Sequence, residues 1–164
     1  MNAPEPRTGR IDGLAVVIAA AIDVLHTSSR RASMFAPKLE ARLWNQPAII
    51  DALRGFAISG RDREVRILVA EPTDLARDCG ALVVLQQRLP TALPLREPLE
   101  GDEWPASHPF LLADEGTVLR FDSDGRLGGE LIAADAGQGR IFQTRFDAAW
   151  ERARPMSELR VLGI

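Results

Sequence analysis

The sequence predicts an α/β fold in which a mixed sheet carries helices on both faces. Three observations predict it. Apolar residues recur at helical spacing over residues 14–25 and again over 49–57. The β-rich run Val65-Arg66-Ile67-Leu68-Val69 follows, bounded by Pro72. Farther on, Asp114-Glu115-Gly116 separates two apolar runs, which is hairpin chemistry. Early alternation of helix and strand implies parallel pairing, and later hairpins add antiparallel strands.

Residues 1–11 are polar and proline-bearing and read as a flexible tail, leaving 12–164 as a single domain. Asp12 is the expected N-cap of a first helix running to about Arg31. Its stripe is Leu14, Val17, Ile18, Ala21, Ile22 and Leu25. The same apolar run is shorter than the roughly 20 residues that cross a bilayer. Arg7 and Arg10 ahead of it give it a leader-like look, but Glu5 and Asp12 argue for a core helix. The expectation is a cytoplasmic protein with no membrane segment.

Ser33 to Ala36 reads as a buried strand stopped by Pro37. Asn45 is a cap candidate for a second helix with Pro47 in its first turn, the stripe Ile49, Ile50, Leu53, Phe56 and Ala57, and Gly60 at its end. Residues 65–69 form a strand, and Thr73 caps a third helix that ends before Pro90. Residues 92–97 look like an edge strand, because Pro94 cannot donate to a ladder. An acidic loop with Glu97, Glu100, Asp102 and Glu103 surrounds Trp104. Strands over 110–113 and 117–121 flank the hairpin turn. Ser123-Asp124-Gly125 signals a second turn before a weaker strand at 130–134. Phe142, Phe146, Ala149, Trp150 and Ala153 make a final helix that stops before Pro155.

Composition narrows the function. The 164 residues are 46 % hydrophobic and 26 % charged, enough to build a core. Twenty basic against twenty-three acidic side chains leave a net charge of -3, so nucleic acid is not expected as a partner. One cysteine and two histidines exclude a disulfide framework and an ordinary structural zinc site; no metal and no cofactor is expected. The motifs G-x-S-x-G, G-x-x-x-x-G-K-[ST] and H-E-x-x-H do not occur. Arg61, Arg63 and Arg66 alternate with Asp62 and Glu64, a self-neutralised surface. Gly137-Gln138-Gly139 precedes a helix, but Phe142 stands where a third glycine belongs, so a turn is the better reading than a phosphate loop.

The element order resembles half of a phospholipase D-like fold. Ser29 to Pro37, Val65 to Val69 and Phe142 to Trp150 look like its opening helix–strand unit, core strand and closing helix. More closely, Pro72, Phe110 to Asp114, Trp150-Glu151-Arg152 and Leu159 to Ile164 are similar to a small bacterial family of uncharacterised phospholipase D-like domains, found alone or downstream of GNAT-type acetyltransferases. The resemblance implies a homodimer, with an acetyltransferase as a conceivable protein partner.

It also implies the motif H-x-K-x-x-x-x-D, which this chain lacks. With Asp114 in the aspartate place, histidine and lysine fall on Ser107 and Pro109; with His108 in the histidine place, the others fall on Phe110 and Glu115. The only lysine, Lys38, is distant in sequence. No catalytic residue is assigned, because nucleophile and anion clamp are both out of register.

Ser107, His108, Asp114 and Arg120 remain as candidate ligand-binding residues of a degenerate pocket. Against this, His108 reads equally as a loop histidine beside Trp104, and Asp114 as a turn residue bonding backbone. The expected function is a non-catalytic interaction or regulatory module. The alternatives are a small-ligand module for a nucleotide or phosphate ester, and, after it, a phosphodiesterase.

Overall fold

The computed structural model describes residues 8–123 and 126–156, and places eight strands of them in one sheet. The strands are β1 (Gly9–Asp12), β2 (Arg31–Ala36), β3 (Glu64–Val69), β4 (Leu95–Glu97), β5 (Phe110–Ala113), β6 (Val118–Phe121), β7 (Gly128–Ile132) and β8 (Arg154–Pro155). Their order is β1-β7-β6-β5-β2-β3-β4-β8. Only β2–β3 and β3–β4 pair in parallel; the other pairings are antiparallel. The helices are α1 (Leu14–Thr27), α2 (Ala41–Trp44), α3 (Pro47–Ile58), α4 (Leu75–Asp78), α5 (Gly80–Arg88) and α6 (Gln138–Arg152). The fold is the expected mixed α/β.

The period of two along the central strands splits the core into two layers. Met34, Ile67 and Leu111 face α1, α3 and α5 in the larger one. Phe35, Leu68, Phe110 and Leu112 face α6 in the smaller one, against Phe146 and Trp150. Apolar side chains therefore lie on both faces of β2, β3 and β5, the central strands covered on each side. The leader-like run is α1, with Val17, Ala21, Val24 and Leu25 buried in the larger layer. No described helix is long and apolar enough to cross a membrane.

Several boundaries differ from expectation. Residues 9–11, assigned to the tail, belong to β1, which pairs with Gly128 to Leu131 of β7. Four residues are too few for a periodic signal, and the pairing energy comes from a strand more than a hundred residues away. Asp12 does not cap α1; Gly13 holds that position, and Asp12 pairs with Arg10. Asn45 is not the N-cap of α3, a position Gln46 holds; it closes α2 as its C-cap, and its Oδ1 accepts the Ala81 N–H at 3.0 Å, in the first turn of α5. The third helix is broken at Cys79 into α4 and α5, with Asp74 rather than Thr73 at the N-cap of α4. Nor is β4 an edge strand. It lies between β3 and β8, and Pro94 joins the sheet through its carbonyl, which accepts the Ile67 N–H at 3.0 Å. Asp124 and Gly125 of the second turn lie outside the described residues.

Gly137 has a backbone reason and Gly139 a packing one. Gly137 takes φ 75° at the N-cap of α6. At Gly139 a Cβ would run into the Gly116 carbonyl, so α6 rests its first turn directly on the β5–β6 turn.

Candidate functional site

Asp114 follows β5 and sits beside the start of β2. Its Oδ1 accepts the Ser29 N–H at 2.9 Å; its Oδ2 accepts the Arg30 and Arg31 N–H groups at 2.8 and 3.1 Å and the Ser29 hydroxyl at 3.0 Å. In return, the Asp114 N–H donates to the Arg31 carbonyl at 3.1 Å. Burial pushes the carboxyl up, but the three backbone donors and the Ser29 hydroxyl together outweigh it and hold its pKa below the ordinary value. Asp114 thus fastens the chain where it enters β2.

Arg120 stands on the α6 side of β6, beyond the part of the sheet that α6 covers. It donates to Glu130 on β7 at 2.7 Å, its direct cross-strand neighbour. Arg10 on β1 lies opposite Glu130 in turn and donates to Asp122. The Arg10 hydrogen bond depresses the Asp122 pKa against burial, with the charges of Arg10, His108 and Arg120 adding to it. His108 belongs to this polar row, and its Nδ1 is buried without a hydrogen-bond partner.

The four candidates therefore do not converge. His108 and Arg120 both act on Asp122. Asp114 lies at the opposite end of β5, about 20 Å of extended chain from His108. Ser107 lines a separate groove beside α6.

Two concavities organise this region. The first is a crevice of about 230 Å³ at the carboxyl end of β2. There β2 pairs in parallel with β3 on one side and antiparallel with β5 on the other. Such a change of direction opens space beyond the strand ends, where α/β sheets bind ligands. Trp44 and Phe121, ring centroids 5.7 Å apart, give it an apolar wall; Lys38, Glu40, Asp122 and Arg126 supply charge. Lys38 and Pro109 line the same crevice. Sequence reasoning set Lys38 aside as distant, because nothing local signals that β2 and β5 are neighbours.

The second is an open groove of about 540 Å³ between residues 103–107 and α6, with Trp104 and Ser107 on one bank and Arg145, Ala149 and Arg152 on the other. Trp104 is exposed, and its ring lies 6.0 Å from that of buried Phe35. Among the described residues no group of three or more His, Cys, Asp or Glu is placed to hold a metal ion.

Fold and clefts together define a mixed α/β domain with ligand-sized concavities at its strand ends and beside its last helix. The chain belongs to the family described as "Domain of unknown function (DUF7931)", whose family model matches residues 14–162. No curated protein matches it. Among solved structures it is similar to TrmBL2, described as an archaeal chromatin protein that shows a novel mode of DNA binding. The TM-score is 0.64 at 18% identity, over 92% of this chain and 53% of that one. The chain spans about half the length of that protein, and the likeness is one of fold.

This match corrects the expectation that nucleic acid is not a partner. That expectation rested on the net charge of -3 for the whole chain. A DNA-binding chromatin protein carries the same fold. Net charge sets the average field, whereas a binding face needs only its own local charge.

Proposed function

We propose that the chain is a non-catalytic phospholipase D-like module that acts by interaction and regulation. The observation that carries this reading is the commitment of Asp114: its carboxylate oxygens take four hydrogen bonds from Ser29, Arg30 and Arg31 and serve the backbone. In the register that puts Asp114 in the aspartate place, Ser107 and Pro109 offer neither nucleophile nor cation. TrmBL2, described as DNA-binding, shares the fold, so nucleic acid stands among the partners to test. The experiment is incubation with bis(p-nitrophenyl) phosphate, comparing the chain with His108→Ala and His26→Ala. The expected result is no nitrophenol above the buffer rate. Release that disappears in either variant overturns the reading in favour of a phosphodiesterase.

A second reading, a small-ligand module, is supported by the crevice where Lys38 joins Pro109 and Asp122. A thermal-shift screen with nucleotides, sugar phosphates and coenzyme A derivatives tests it. Ligand at 100 times its Kd stabilises the fold by about 2.7 kcal/mol, a Tm rise of roughly 5–10 °C at this size. A rise abolished by Lys38→Ala supports the crevice; no rise with any compound removes it.

A further inference from the structure

We infer that the groove between the 103–107 loop and α6 is a docking track for single-stranded nucleic acid, with phosphates on Arg145 and Arg152 and a base on Trp104. The inference gives the interaction module a partner class, and rests on that reading to this extent only.

Charge is the first argument. Arg145 and Arg152 are exposed, and neither has an ion-pair partner among the described residues. Arg66 is held by Glu64 and Asp147, and Arg154 by Glu97. An arginine left without a carboxylate keeps its planar donor fork for an incoming anion, and phosphate is the anion it fits best. Glu103 lies on the opposite bank of the same groove and Glu100 and Asp102 belong to the same loop, so the positive charge is confined to the α6 bank.

Spacing is the second. Seven residues separate the two arginines along α6, two turns and about 10.5 Å of rise, on one helix face. That is longer than the diphosphate of a single nucleotide and suits phosphates of successive units on a chain. Ala148 and Ala149 lie between them, leaving the floor low enough for a backbone to pass.

The aromatic bank is the third. Trp104 is 44% exposed, yet it is anchored through its contact with Phe35 and followed by buried Pro105. The indole is thus held by the core on the Phe35 side while nearly half of the residue remains exposed, and an exposed, anchored aromatic ring can stack a base without reading its sequence. Ser107 adds a hydroxyl on the same bank for a sugar or phosphate oxygen.

The test is fluorescence anisotropy of a labelled oligothymidylate with the full chain at low salt, followed by a salt titration. Binding is expected to weaken by roughly 5- to 150-fold in Trp104→Ala, and to be largely restored in Trp104→Phe. Arg145→Ala and Arg152→Ala should each reduce the slope of log affinity against log salt by about 0.7. All three positions are on the surface, and unchanged melting confirms that the variants fold. No binding, or binding that these variants leave unchanged, overturns the inference without touching the interaction reading, which the phosphodiester assay decides. Equal or tighter binding to the duplex also overturns it, because a paired base cannot stack on Trp104. Polyglutamate bound with the same variant response overturns it in favour of an acidic protein segment.

Discussion

The Asp114 carboxylate accepts the Arg30 backbone N–H at 2.8 Å across 84 residues of chain, and so joins the exit of β5 to the entrance of β2. The residue that motif logic offered as a catalytic support is spent on architecture. Two central antiparallel neighbours are thereby locked in register at one end.

Asp114→Ala is expected to destabilise the fold by about 1–3 kcal/mol at neutral pH, since the donors it leaves are partly open to water. The sign with pH follows from its depressed pKa: the stabilisation is present above the unfolded value near pH 4 and is lost as pH falls through the folded one. Urea unfolding at pH 7 and pH 3 checks this. The difference between wild type and Asp114→Asn should be largest at pH 7 and narrow as the pH falls toward 3.

Gly139→Ala should lower stability by roughly 1–3 kcal/mol, because the methyl group meets the Gly116 carbonyl. Gly55, in α3, is exposed with open space around it. There the same change should raise stability by about 0.5–1 kcal/mol through helix propensity. A pair of melting curves tests both signs. Stabilisation at both positions would mean that α6 does not rest on the hairpin turn.

Two guanidinium groups approach the Trp150 ring, with Arg96 at 4.4 Å and Arg66 at 5.6 Å from its centroid. Arg96 also donates to the Trp150 carbonyl at 2.8 Å, which ties the end of α6 to β4. Arg96→Ala should cost about 2 kcal/mol, combining the lost hydrogen bond and the lost ring contact. Denaturant unfolding followed by tryptophan fluorescence gives the value. Arg88→Ala, on the opposite layer, is the neutral control.

Cys79 is buried between α4 and α5, and burial pushes its thiol up to about 11, helped by the negative charges of Asp78 and Glu40. At pH 8 only about one thiol in a thousand is then ionised, so it should resist a disulfide reagent such as DTNB. Stoichiometric labelling is expected in denaturant only. Rapid labelling of the native chain would show that the break between the two helices opens.

The sequence reading succeeded where a signal was local. The hairpin around Asp114-Glu115-Gly116, the stripe of α3 and the run at 65–69 each carry their own pattern within a dozen residues. It failed where the partner was remote. β1 and β8 are too short to show a period, and exist because β7 and β4 offer them a ladder. Asn45 reads as a cap of the helix that follows it, but it closes α2 and its side chain accepts from Ala81, 36 positions later. The site suffered more than the fold, because Lys38 meets Pro109 only after β5 is laid against β2. Charge read as a total also hides its placement, since Arg145 and Arg152 share a helix face while Arg66 is neutralised by Glu64 and Asp147.

The short first strand also decides where this molecule can be trimmed. The family match begins at residue 14, which invites a shortened chain from that point. Such a chain would lose the partner of β7, the Arg10 anchor on Asp122 and the Thr8 hydroxyl that takes the Ala133 N–H. Bare backbone N–H and C=O groups along 128–131 would then be free to recruit another copy, edge to edge. Light scattering on the two versions would reveal the difference as sticky, growing particles in the trimmed one. Four residues with no pattern of their own act as the sheet's selvedge.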